Sequence, residues 1–268
     1  MNREDTIKEL LLKQKYDFND LMTVVRILRG EGGCPWDREQ THASIRNDFI
    51  EETYEVIEAI DTENPTLMRE ELGDVMLQVV FHTQIAEDDK QFYMDDVTTE
   101  ICRKLIHRHP HVFADVNVEN SSEVLKNWEA IKSDEKSRKT VTDKLTAIPP
   151  MLPALMRASK VGKKASCFDF PDAQSVMDKI SEELVEVSEA METGKQEDIT
   201  EEIGDLLLSI TSLCRKLNVD AENALKQATD KFIDRFHKVE DEVLAQKKEI
   251  ADCSLEELDA IWGKIKKK

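Results

Sequence analysis

Apolar residues return along this chain every three or four positions, the period of a helix with one buried face. From Val176, steps of about 100° per residue bring Val176, Ile180, Leu184, Val187 and Met191 into one stripe. Further on, Ile199, Ile203, Leu206, Leu207 and Ile210 form a second. Between them lies "METGKQED", a short polar turn with Gly194 placed to end the first helix. A short connection makes the two helices antiparallel neighbours. No alternating apolar–polar stretch of convincing length suggests a strand.

The pattern occurs twice. "EETYEVIEA" (51–59) returns as "EELVEVSEA" (182–190), and "EELGDVML" (70–77) as "EEIGDLLL" (201–208). Each pair is offset by 131 positions, so the spacing within each copy is the same. The first copy turns near "DTENPT". Downstream, Lys104 and Arg108 match Lys231 and Arg235, and Trp128 and Lys132 match Trp262 and Lys266. The expected organisation is all-α: two tandem helical-bundle modules from one duplication. The first spans 1–132, the second 154–268. A polar, Pro-rich linker over 133–153 joins them.

Within the stripes, certain acids break the pattern. Glu183 and Glu186 fall just beside the first stripe, and Glu202 flanks the second with Asp205 further round. Glu189 and Glu201 point away and read as solvated. Side chains three apart on a helix are neighbours. If the helices pair along their stripes, four carboxylates converge at one edge of the bundle. The first copy offers Glu52, Glu55, Glu71 and Asp74 in the same way. Four such groups repel one another unless a cation neutralises them, and an all-oxygen set favours Mg²⁺, with Mn²⁺ as substitute. Mg²⁺ shared with carboxylates commonly also takes substrate phosphate oxygens, which points to a phosphorylated ligand. Gly73 and Gly204 sit mid-helix, where glycine costs about 1 kcal/mol against alanine, so close approach of a helix or ligand is expected there.

Composition narrows the class. Lys plus Arg is 37 and Asp plus Glu 56, for a formal charge of −19. That disfavours a nucleic acid or an anionic membrane as partner. Five scattered cysteines without a C-x-x-C pair suit a reducing, cytoplasmic setting. The first residues, "MNREDTIKELLLKQ", are too polar for a signal peptide, and no apolar run is long enough to span a bilayer. The repeated Lys/Arg pairs offer cationic donors to a polyphosphate. The indoles of Trp128 and Trp262 are either base-stacking surfaces or core anchors.

These residues together resemble the MazG-type nucleoside triphosphate pyrophosphohydrolases of the all-α NTP pyrophosphatase superfamily. The likeness rests on Glu-x-x-Glu, a gap, then Glu-x-x-Asp, present twice. "CPWDREQTH" (34–42), "KLIHRHPHVF" (104–113) and "ALMRASKVGKKAS" (154–166) extend it over nearly the whole chain. The second copy departs by carrying "CFDF" (167–170) in place of "CPWD". The resemblance implies hydrolysis of ordinary or altered nucleoside triphosphates to monophosphate and pyrophosphate, for upkeep of nucleotide pools. It implies Mg²⁺ dependence and a homodimer. It carries the metal-ligand role onto Glu52, Glu55, Glu71, Asp74, Glu183, Glu186, Glu202 and Asp205. It carries phosphate binding most clearly onto Lys231, Arg235 and Lys266, with Trp262 near the nucleotide and Lys104, Arg108, Trp128 and Lys132 as first-copy counterparts. The expected general base is one of Glu182, Glu183 or Glu186.

Two rival readings compete. An acidic, non-enzymatic helical scaffold would bind cations or a protein. A zinc hydrolase would use His107, His109 and His111, although Pro110 interrupts any helix there.

Overall fold

A computed structural model describes residues 2–135 and 140–266, without the side chains of Ser133 and Asp134. Every regular element among the described residues is helical. The chain divides into two compact units, 1–132 and 133–268.

In the first unit, α1 (Arg3–Leu12), α2 (Phe18–Arg29) and α3 (Pro35–Glu39) precede a long hairpin of α4 (Arg46–Asp61) and α5 (Pro65–Asp88). Then come α6 (Met94–Arg108), α7 (Pro110–Phe113) and α8 (Ser121–Glu135). Local chemistry sets several boundaries. Asn64 caps α5 by accepting from the Thr66 and Leu67 amides at 3.2 Å, with Pro65 in the first turn, where its missing N–H costs nothing. Asp17 and Asp20 close a reciprocal cap on α2. By contrast, α4 has no side-chain cap; the residue before it, Ile45, is buried in the core. Packing therefore starts α4 where capping does not. That core joins Val25, Ile45, Val80, Phe81, Ile85 and Met94, contributed by α2, the start of α4, α5 and α6.

The second unit contains α9 (Val141–Thr146), α10 (Ala154–Lys164), a 3-10 turn at 166–168, and the second hairpin, α11 (Ala173–Thr193) with α12 (Gln196–Lys216). It closes with α13 (Ala221–Ala245), a 3-10 turn at 250–252 and α14 (Leu255–Lys266). Asp172 caps α11 through the Ser175 amide at 2.8 Å. Gly194 ends it at φ 69°, a left-handed conformation that disfavours side chains with a Cβ. Within the stretch expected to be a linker, α9 packs on α10 and Ile148 is buried. A small core of Val239, Val243 and Ile261 ties α13 to α14.

Two expectations need correction. The apolar stripes are only partly covered: Val176 is buried, but Leu184, Met191, Ile203, Leu207 and Ile210 are exposed. Each hairpin uses part of its apolar surface on its partner helix and leaves the rest outward. The mid-helix glycines also have a different setting. A Cβ at Gly73 or Gly204 would meet nothing within 4 Å, so no neighbouring helix requires glycine there.

Two acid-lined hairpins as the candidate site

The hairpins bring acids together because their spacing and packing agree. In the second, Glu183 and Glu186 lie one turn apart on α11 and meet Glu202 of α12. Each of the three offers a carboxylate oxygen within 4.8 Å of the others. Glu52 and Glu55 of α4 meet Glu71 of α5 in the same way. Asp74 and Asp205 lie outside these trios, yet their charges act on the acids beside them. Glu189 and Glu201 are solvent-exposed, as their wheel positions require.

The trios are placed deeper than flanking positions suggest. Glu183 is 3 % exposed, and its Oε2 is buried without a hydrogen-bond partner. An orphaned carboxylate oxygen is costly to bury and is what a cation would satisfy. In the first hairpin the crowding favours protonation. Burial pushes the Glu71 carboxyl up to about 7, helped by a hydrogen bond to Glu55 and by the charges of Glu55 and Asp74. Burial likewise raises Glu52, with Asp74 and Glu55 adding repulsion, and raises Glu202, with Glu186 and Glu183 adding theirs. Carboxyls pushed towards protonation or left unpartnered fit a hard divalent cation with oxygen preference. Both donor sets pass that test.

The pattern analysis missed Lys179. Its Nζ lies 2.8 Å from Glu182, 2.9 Å from Glu183 and 3.7 Å from Glu186. Hydrogen bonds to Glu182 and Glu183 hold this ammonium strongly in its charged form. The i, i+4 spacing of Lys179 and Glu183 was the available signal, but such pairs are common on solvated helices. The matching first-copy position, 179 − 131, is Asp48, so the two hairpins differ in charge at this point.

The other candidates are placed as follows. Lys231 is exposed and Arg235 half-buried on α13, and neither forms an ion pair among the described residues; Lys266 is exposed at the end of α14. Trp262 is partly buried against the α13–α14 core, with the Phe232 ring 5.1 Å away. Lys104 is exposed and Arg108 is buried. Trp128 carries two cations over its ring, Arg108 at 5.2 Å and Lys132 at 4.5 Å. The rival zinc reading fails geometrically. The ring centroids of His109 and His111 are 5.7 Å apart, but the potential metal-holding groups of three or more among the described residues are the two acid trios. Pro110 does separate α6 from α7.

Two antiparallel hairpins in an all-α chain, each gathering acids from both arms, define a class: duplicated helical proteins with an acid-lined hairpin in each copy. The family model described as the MazG nucleotide pyrophosphohydrolase domain matches twice, over residues 40–113 and 171–240, and the chain belongs to the MazG family. It is similar to the nucleoside triphosphate pyrophosphohydrolase/pyrophosphatase MazG of Thermotoga maritima, 45 % identical over 93 % of this chain and 95 % of that protein. It is similar to the nucleoside triphosphate pyrophosphohydrolase of Escherichia coli K12, 44 % identical over 92 % of this chain and 96 % of that one. A nucleoside triphosphate pyrophosphohydrolase of Mycobacterium tuberculosis is 36 % identical over 81 % of this chain and 56 % of its own length. No helix among the described residues is long and apolar enough to cross a membrane.

Proposed function

We propose that the chain hydrolyses nucleoside triphosphates to the monophosphate and pyrophosphate, with the second hairpin as the site of turnover. The observation that carries this is the buried, unpartnered Glu183 oxygen inside a trio that belongs to a MazG-family hairpin. The names of the Thermotoga and Escherichia relatives support the reaction.

Glu183, Glu186 and Glu202 would hold Mg²⁺, with Asp205 at the rim; Mn²⁺ is the nearest substitute. When bound, the ion supplies polarisation of phosphate oxygens and a lowered pKa for a bound water. The remaining work falls to side chains. Lys179 balances the acids in the resting chain and is poised to turn its ammonium towards phosphate oxygens once a cation relieves it. Lys231, Arg235 and Lys266 supply further donors for the charge on departing pyrophosphate. Glu182 lies outside the trio and is solvent-accessible. It is therefore the carboxylate of the three candidates best able to take the proton from water attacking the α-phosphorus. In the first hairpin Glu52, Glu55, Glu71 and Asp74 would hold the same kind of ion without such a lysine. Incubation with several triphosphates and Mg²⁺ tests the reading. Monophosphate plus pyrophosphate is expected; diphosphate plus orthophosphate refutes cleavage at the α-phosphorus.

The apolar surface left outward on both hairpins supports a homodimer. Leu184, Met191, Ile203 and Leu207 in one, and Ile57, Ile60, Leu72 and Met76 in the other, are exposed large hydrophobics. Light scattering is expected to give twice the chain mass for the wild type and a shift towards monomer for Leu207→Glu at unchanged helicity. A monomeric wild type rules the dimer out. The five cysteines are unpaired, which suits a cytoplasmic setting.

A further inference from the structure

The first unit contains an imidazole pair that the reaction does not use. His42 lies in the turn before α4, and His82 lies on α5 beside the core residue Phe81. Their Nδ1 atoms are 2.8 Å apart, their ring centroids 5.1 Å, and their planes within 5°. The centroid separation equals the N···N distance plus two ring radii. The rings therefore lie end to end in nearly one plane, with the two nitrogen lone-pair directions on one line.

That geometry leaves room for one particle. A metal ion between collinear imidazoles needs nitrogens about 4 Å apart, given metal–nitrogen bonds of about 2.0–2.1 Å. At 2.8 Å the occupant is a proton: one Nδ1–H donates and the other Nδ1 accepts. A first added proton leaves a donor and an acceptor in place. A second leaves two N–H groups pointing at each other, and the bond is lost.

The bond sits where α4 most needs it. No side chain caps that helix, and its start depends on Ile45 fitting the core. The turn is further held by Thr41 and Ser44, each amide bonded to the other's hydroxyl. Phe49, in the first turn of α4, leans on His82 at 5.7 Å. The neighbouring elements have charged groups of their own. On α2, Arg26 pairs with Glu87, and Arg29 pairs with Asp88 while donating to the Asp37 and Gln40 carbonyls. Asp37, Arg38 and Glu39 lie on α3, Arg46 and Asp48 at the start of α4, and Asp95 and Asp96 at the start of α6. Among these groups, His42 is the one whose charge acts on His82.

We propose that His42 and His82 form a one-proton clasp that fastens the start of α4 to the middle of α5 at neutral pH and opens in mild acid. Burial, and then the His42 charge, lower the His82 pKa. A histidine lowered on folding contributes stability that is full above its unfolded value, about 6.5, and lost as pH falls through its folded value. Because α4 and α5 hold the first acid trio, opening the clasp loosens that trio; this consequence rests on the cation-binding reading above. The second hairpin has Ala173 and Leu213 at the matching positions, 131 residues on, and so carries no such control.

Nitrogen NMR of the histidine side chains, with amide exchange, tests the clasp on the full chain from about pH 8 to about pH 5. His42 and His82 are expected to titrate as a coupled pair in two separated steps. Exchange protection over residues 41–50, corrected for the intrinsic pH dependence, is expected to fall on the order of tenfold with the second step. In His82→Phe, the two-step coupling should vanish and the local protection should stop responding to pH. Independent, ordinary titration of both imidazoles in the wild type overturns the proposal, and so does an unchanged pH response in the variant. If the variant fails to fold, the two-step coupling in the wild type decides alone.

Discussion

A chain carrying Glu202→Ala is expected to lose triphosphate hydrolysis by roughly a thousandfold, about 4 kcal/mol of barrier. The size follows from the geometry. Glu202 is the contribution of α12 to a trio whose other members both lie on α11, so removing it leaves two acids from one helix and only the rim residue Asp205 from the other. Lys179 should then remain bonded to Glu182 and Glu183 instead of turning to the substrate. The matched variant in the first hairpin, Glu71→Ala, is expected to leave the rate within about threefold, because that hairpin has Asp48 where the second has Lys179. Initial rates of pyrophosphate release, at matched helicity, compare the two. A full-rate Glu202→Ala, or an equal collapse in Glu71→Ala, would end the assignment of turnover to the second hairpin.

The second large effect concerns stability. Asp169, in the "CFDF" segment, ties the turn after α10 to the last turn of α12. Its carboxylate accepts from Arg215 at 2.7 Å through Nη1, takes a further bond from Nη2, and meets Lys216 at 2.8 Å. Side-chain exposures of 14 %, 19 % and 20 % put the triad mostly out of water. Arg215 also runs close beneath α10, where a Cβ on Gly162 would lie 2.9 Å from Nε. Asp169→Ala leaves two poorly solvated cations without their anion, which should destabilise the chain by about 3 kcal/mol in denaturant titrations at neutral pH. The Arg215 bond, then that of Lys216, holds the Asp169 carboxyl well below the ordinary carboxylate range. Its contribution is therefore complete above about pH 4 and fades as pH falls through the folded value. The gap between wild type and variant should close in that acidic window and stay constant above it. A variant as stable as the wild type at neutral pH would show the triad to be energetically idle.

Much of this was legible before any coordinates, for a physical reason. Helical periodicity, the 131-residue duplication, the end signal at Gly194 and the turn at "DTENPT" are all written in the chain, and the structure obeys them. The i, i+3 acids had to lie on one face of each helix, so spacing named four acids in each hairpin, and the structure brings three of each four together. "CFDF" was visible as a departure from "CPWD", but not as an anchor for Arg215, which lies 46 residues away. His42 and His82, 40 residues apart, likewise carried no mark of pairing.

The sequence by itself determined the helices, the duplication and which carboxylates share a helix face, since these follow from periodicity and repetition along the chain. Only the tertiary structure decided how deeply Glu183 and Glu71 are buried and which apolar positions stay uncovered. Burial depends on neighbours supplied by other elements, and no period along one helix encodes it.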